Sequence, residues 1–239
     1  MDVVLGVVVF WLALGLAGLA LQNTRLITRI IFPLGAVGSL LLAGAALDGL
    51  NETSTAVLPL GLPDLPFHLR MDALSAFFLL LLGSASIGIS LFSSGYFYNM
   101  PKAALGPLCL EYHIFLSSMA LVFLANDAYL FMVAWESMAL SSYFLVTTEH
   151  NLPEVRRAGF LYLLIAHIGA IAILMSFGIM QGGHGDYTFA SMREAHLPGV
   201  WASITFLLAL FGFGAKAGLP VDTMLEVLNN GTGQNTGTL

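Results

Sequence analysis

Glu136, His167 and Lys216 are an acid, an imidazole and a base set in three stretches that are otherwise apolar. Glu136 stands in "MVAWESMALSS", far from any other charged residue; the nearest are Asp127 and Glu149. A carboxylate near the centre of a bilayer costs about 2.5–3.5 kcal/mol, and a sequence keeps that cost where the group faces protein or water and has a task. His167, in "LLIAHIGA", carries a side chain that takes and gives protons near neutral pH. Lys216, in "FGFGAKAGLP", lies among Gly212, Gly214 and Gly218 and ahead of Pro220. Such residues weaken a helix, and broken helices at depth are where transport sites form. A buried acid and a buried base favour each other's charged forms while desolvation opposes them, so the two can load and release a proton when a neighbouring charge moves. Tyr129 and Tyr143, seven residues to either side of Glu136, and the hydroxyls of Ser137 and Ser141 are candidate supporting groups. Each main residue also has a plainer reading: a glutamate that joins helices by hydrogen bonds, a lysine that snorkels to the interface, a structural histidine.

These residues need helices to hold them at depth, and the composition supplies them. Of 239 residues, 58% are hydrophobic and only 9% charged, with a mean hydropathy of +0.87. A soluble domain carries roughly a quarter charged residues, so the class is integral membrane protein. The spacing predicts seven spans, at 3–21, 27–47, 73–96, 108–125, 128–147, 158–180 and 200–219. The fourth and fifth are separated by Asn126 and Asp127 alone; read as one helix they would be about 57 Å long, nearly twice the hydrocarbon thickness, so a tight hairpin is expected at "AND". The first run lacks the basic n-region of a cleaved signal peptide and reads as a helix that stays. Arg25, Arg29, Lys102, Arg156 and Arg157 fall on one side and Arg70 and Arg193 on the other, which makes the first side cytoplasmic and puts the N-terminus outside. The outer segment from Asp48 to Asp72 is expected to be a loop, its Pro59, Pro63 and Pro66 arguing against a helix. Residues 220–239, rich in Gly, Asn and Thr, read as a polar, disordered tail.

The rest of the inventory excludes other chemistry. A formal charge of −6 without a basic cluster gives no nucleic-acid partner. Cys109 is the only cysteine, so no intrachain disulfide forms. His113 and Glu111 are placed near the inner end of a short fourth span, and His68, His150, His184 and His196 in loops whose spacing suits no metal site. No redox cofactor is expected, since the cysteines and paired histidines that ligate iron–sulfur clusters or haem are missing.

The stretches "LANDAYLFMVAWESMALSSYFLVTTEHN", "EVRRAGFLYLLIAHIGA" and "FGFGAKAGL" together resemble the antiporter-like membrane subunits of respiratory complex I and its relatives, nearest to the hydrogenase-4 component B and formate hydrogenlyase membrane-subunit group. "MDALSAFFLLLLGSASIGISLFSSGYF" is similar to the third helix of that family. The resemblance covers about residues 1–219. It implies that Glu136 is the fifth-helix glutamate of a charge pair, that Lys216 is its seventh-helix partner and proton carrier at a helix break, and that His167 sits at a relay position. The family continues beyond "GAKAGL" with a "WLP" signature and further helices that this sequence lacks, so the chain reads as an N-terminal fragment of such a subunit or as a truncated, frame-shifted product.

The expectation is an all-α, seven-span bundle in the cytoplasmic (inner) membrane, relaying protons within a hydrogenase- or quinone-type oxidoreductase complex and partnered by its other membrane subunits. A sodium/proton antiporter subunit shares the same helices. A membrane anchor or assembly scaffold is the rival from another class, and it tolerates loss of both Glu136 and Lys216. A seven-helix receptor matches only the span count.

Overall fold

Seven stretches rich in Leu, Val, Ile, Phe and Ala form helices long and apolar enough to cross a membrane: Asp2–Leu21, Thr24–Gly49, Ala73–Tyr96, Ala104–Leu124, Ala128–Val146, Pro153–Met180 and Gly199–Lys216. They are the first to seventh spans. The computed structural model describes residues 1–62, 65–149, 151–183 and 187–218. The expected tail at 220–239, and His150, His184 and Pro63 among the loop residues, lie outside these.

The first four spans share one core. Trp11, Phe32, Leu42, Leu79, Leu105 and Leu124 are buried in it, and the Trp11 indole N–H donates to the Gly35 carbonyl at 3.2 Å. The second span opens at Asn23, whose side chain accepts from the backbone of Arg25 and Leu26. It then passes through a π-helical turn at Ile27–Ile31. A smaller core of Ala128, Ile173, Phe177 and Met192, backed by Phe131, Trp135 and Phe189, ties the fifth and sixth spans to a short helix at Phe189–Glu194. The fourth span packs on the fifth and the sixth on the seventh.

Two readings of the sequence change. The outer segment is not a plain loop: Ser54–Leu62 (β1) and Leu65–Met71 (β2) pair antiparallel, with a register shift between Leu58 and Gly61. Proline excludes a helix but not a two-stranded ribbon, in which each strand keeps one edge free of ladder bonds; Gly61 supplies the positive φ of 112° at the irregularity. Second, the fourth helix starts at Lys102 and carries Pro107 inside it, where a proline removes a single intrahelical hydrogen bond early in the helix. His113 therefore lies mid-helix and fully buried, not near the inner end.

The "AND" turn between the fourth and fifth spans holds three elements together. Asp127 is 3% exposed. One of its carboxylate oxygens accepts from the Leu130 backbone and caps the fifth span. The other accepts from the His68 backbone at 2.6 Å and lies 3.5 Å from the His68 ring. Asn126 accepts from the Phe189 backbone and donates to the His68 carbonyl. Strand β2 and the approach to the short helix are thus pinned to the start of the span that carries Glu136.

Candidate functional site

Glu136 is at the middle of the fifth span, His167 at the middle of the sixth and Lys216 at the last residue of the seventh. The structure joins the first two. Glu136 Oε2 lies 3.5 Å from His167 Nε2, an ion-pair distance rather than a short hydrogen bond. The other ring nitrogen, Nδ1, is 3.0 Å from the Leu163 carbonyl one turn back. A carbonyl only accepts, so Nδ1 bears a proton and Nε2 is left to face the carboxylate. One further proton then completes the contact. It resides either on Nε2, as imidazolium beside carboxylate, or on Glu136, as imidazole beside carboxylic acid.

Lys216 has different neighbours. Its ammonium donates to the Tyr162 hydroxyl at 2.6 Å, sits 5.0 Å from the Tyr162 ring centre and 5.9 Å from that of Trp135. Among the described residues Glu136 has its ion pair with His167 and none with Lys216. The two contacts are nonetheless adjacent. Trp135 precedes Glu136 on the fifth span, and Tyr162 precedes His167 by five residues on the sixth, or roughly 7.5 Å along its axis.

Straight helices put Lys216 about 12 Å deeper than Glu136. The seventh helix runs without a break through Gly212 and Gly214 to Lys216. The lysine stem carries its ammonium to Tyr162 and Trp135 rather than to Glu136. Gly212 works by close approach: a Cβ there would meet Ile173 Cγ1 at 2.5 Å and the Gly169 carbonyl oxygen at 2.7 Å. The sixth and seventh helices consequently pack backbone to backbone, as small residues allow in membranes. Phe213 adds ring contacts to Trp135 and Phe131 at 5.6 and 6.1 Å.

The supporting groups read from the sequence point elsewhere. Tyr129 packs its ring on Phe67 of β2, and Tyr143 packs on Phe144. Ser137 and Ser141 donate to carbonyls of their own helix, at Val133 and Ser137. Tyr162 and Trp135 were not singled out from the sequence. The signal was available in "GFLYLLIAH", where a phenol stands close before the histidine on a span otherwise almost free of polar groups.

All four groups, Glu136, Tyr162, His167 and Lys216, fall within residues 125–223, which match the family model of the NADH:quinone oxidoreductase/Mrp antiporter transmembrane region. Over 151 residues the chain is 39% identical to hydrogenase-4 component B of Escherichia coli, covering 63% of this chain and 22% of that protein. It is 26% identical over 199 residues to NADH-quinone oxidoreductase subunit L of Mycobacterium tuberculosis, covering 79% and 31%. These matches support an antiporter-like membrane subunit of the complex I superfamily. Its fold is also that of a chain in the Mrp complex from Dietzia, with a TM-score of 0.69 at 20% identity over 87% of this chain and 23% of that one. The membrane-bound sulfane sulfur reductase, an archaeal respiratory membrane complex, gives 0.66 at 18% identity over 86% and 44%. The chain thus spans less than a quarter of the length of hydrogenase-4 component B, and its superfamily match includes the three spans that carry the acid, the imidazole and the base.

Proposed function

We propose that this chain is the proton-relaying part of an antiporter-like subunit in a respiratory or hydrogenase-type oxidoreductase complex. Glu136 and His167 hold one transferable proton, and Lys216 with Tyr162 forms the next station. The observation that carries this reading is the Glu136–His167 contact with Nδ1 already committed to Leu163. It gives two protonation states that differ only in which atom holds one proton. The second station follows from the 2.6 Å bond between Lys216 and Tyr162. Movement of charge near either station shifts the proton between them; Tyr162 and His167 are about 7.5 Å apart along the sixth helix, so the transfer runs through bridging water.

Glu136 and His167 keep 31% and 47% of their side-chain surface open. A polar pair left facing lipid is costly, so this face of the fifth and sixth spans is read as the contact for further membrane helices of the complex. On this reading the partners are other membrane subunits of the complex and the membrane is the cytoplasmic (inner) membrane. The transported species is the proton; a sodium-coupled subunit shares the helices, but an imidazole–carboxylate pair suits a proton more directly than a hard cation held by oxygens.

The test is Lys216→Met in the full-length protein within its complex, with proton uptake into proteoliposomes as the readout. Uptake should fall at least about tenfold, the loss of one essential proton-transfer group, while the complex still assembles. Unchanged uptake with normal assembly would favour the scaffold.

A further inference from the structure

The turn between the first and second spans and the turn between the third and fourth meet over a cavity of about 600 Å³ lined by Asn23, Thr24, Arg25, Tyr98, Asn99 and Met100, with Pro101 completing the wall. We propose that this cavity binds the phosphate of an anionic lipid headgroup. Among the described residues no carboxylate lines it. Among the described residues no side chain or carbonyl takes the Arg25 guanidinium, and its surface is exposed. The Asn23 side chain already accepts the backbone N–H groups of Arg25 and Leu26 at 3.1 and 3.4 Å. The free donors are therefore on side chains, with the guanidinium foremost.

A second arginine stands behind the first. Arg29 donates to the Tyr98 hydroxyl at 3.5 Å and lies 5.7 Å from that ring's centre, so the tyrosine wall of the cavity is itself backed by positive charge. The π-helical turn at Ile27–Ile31 starts two residues after Arg25, contains Arg29 and is anchored from across the bundle: the Ser94 hydroxyl of the third span donates to the Thr28 carbonyl inside it. Single π turns recur at functional sites, and this one fixes how the Arg29 side chain leaves the helix relative to Arg25.

The surroundings select a lipid over a soluble anion. Leu21 and Ile30 beside the arginines, and Phe92 and Tyr96 at the end of the third span, are all exposed. These exposed apolar residues close to the basic, polar cup in sequence offer acyl chains a surface, and tyrosines such as Tyr96 and Tyr98 are the type that aromatic belts place among headgroups. A guanidinium fork matches two phosphate oxygens, Asn99 and Thr24 offer further donors, and acyl chains lie along that surface.

Native mass spectrometry of the full-length protein in detergent, with phosphatidylglycerol or phosphatidylcholine added, tests the proposal. Phosphatidylglycerol should be retained roughly tenfold more tightly, the scale of one charge-assisted contact. Arg25→Gln should abolish that preference and Arg25→Lys keep part of it. Asn99→Asp, which adds a carboxylate to an exposed position of the cup, should abolish it independently. Equal retention of the two lipids by the unaltered protein, or a preference untouched by Arg25→Gln and Asn99→Asp, would overturn the site. Displacement of the lipid by millimolar inorganic phosphate would mark a soluble-anion site and overturn the lipid assignment; persistence of the lipid supports it.

Discussion

At the scale of single residues, the site turns on which proton each nitrogen carries. Replacing His167 by Asn keeps a polar side chain but removes the group that shares a proton with Glu136. Proton translocation should fall by roughly 10²-fold, the range for loss of a positioned acid–base group. Tyr162→Phe removes only the hydroxyl that Lys216 donates to, so its effect should be smaller and should leave the sixth helix intact. If both variants pump like the parent protein, neither contact in the structure belongs to the path. Asp72 offers a check outside the membrane. Its carboxylate caps the third span by accepting the Ser75 backbone N–H at 3.0 Å. That bond first, then the Ser75 hydroxyl and the Arg70 guanidinium, holds the carboxyl below its usual range despite an opposing effect of burial. A depressed folded value means the stabilisation is complete above the unfolded value of about 4 and is lost as the pH falls through the folded one. The protection factors of amides at the start of the third span, corrected for intrinsic exchange, should therefore fall below about pH 4, and Asp72→Asn should remove that fall.

At the scale of elements, the seventh helix reaches its place because Gly212 lets it lie against Gly169 and Ile173. Gly212→Ala puts a Cβ into that contact and should destabilise the sixth–seventh packing by about 1–3 kcal/mol, the usual cost of overpacking. Thermal unfolding in detergent measures it, and an unchanged midpoint would show that the two helices separate without loss. The seven apolar runs were legible in the sequence because a span of about 20 apolar residues has few alternatives. The mid-span positions of Glu136 and His167 followed from them. Other features were not legible. The β1–β2 ribbon depends on pairing between segments whose prolines signal only what they cannot be. The start of the fourth helix at Lys102 was obscured by Pro107, which the structure tolerates in the second turn. The choice of His167 rather than Lys216 as the ion-pair partner of Glu136 depends on helix rotation and side-chain reach, and spacing along the chain encodes neither between separate helices. Tyr162 was passed over for the same reason: its role appears only once the seventh helix is laid against the sixth.

At the scale of the whole molecule, the first four spans build one core and the fifth and sixth, with the short helix at Phe189–Glu194, build a second, the two joined through the fourth–fifth packing and pinned at the Asp127 turn. By the balance of basic residues, the Lys102 loop is expected in the cytoplasm and Asn51 outside. Reporter fusions at those two positions should read accordingly, and the reverse pattern would invert the path's direction through the membrane. The central claim is that Glu136 is one end of a proton relay rather than a strut between helices. Glu136→Gln separates the two most directly: it keeps the size and the hydrogen-bonding capacity of the side chain but cannot hold the proton that His167 shares. With the full-length variant assembled in its complex and reconstituted in proteoliposomes, proton uptake driven by the complex's own reaction should drop at least about tenfold while subunit content stays constant. Uptake equal to that of the parent protein would contradict the relay and leave Glu136 as a hydrogen-bonding strut.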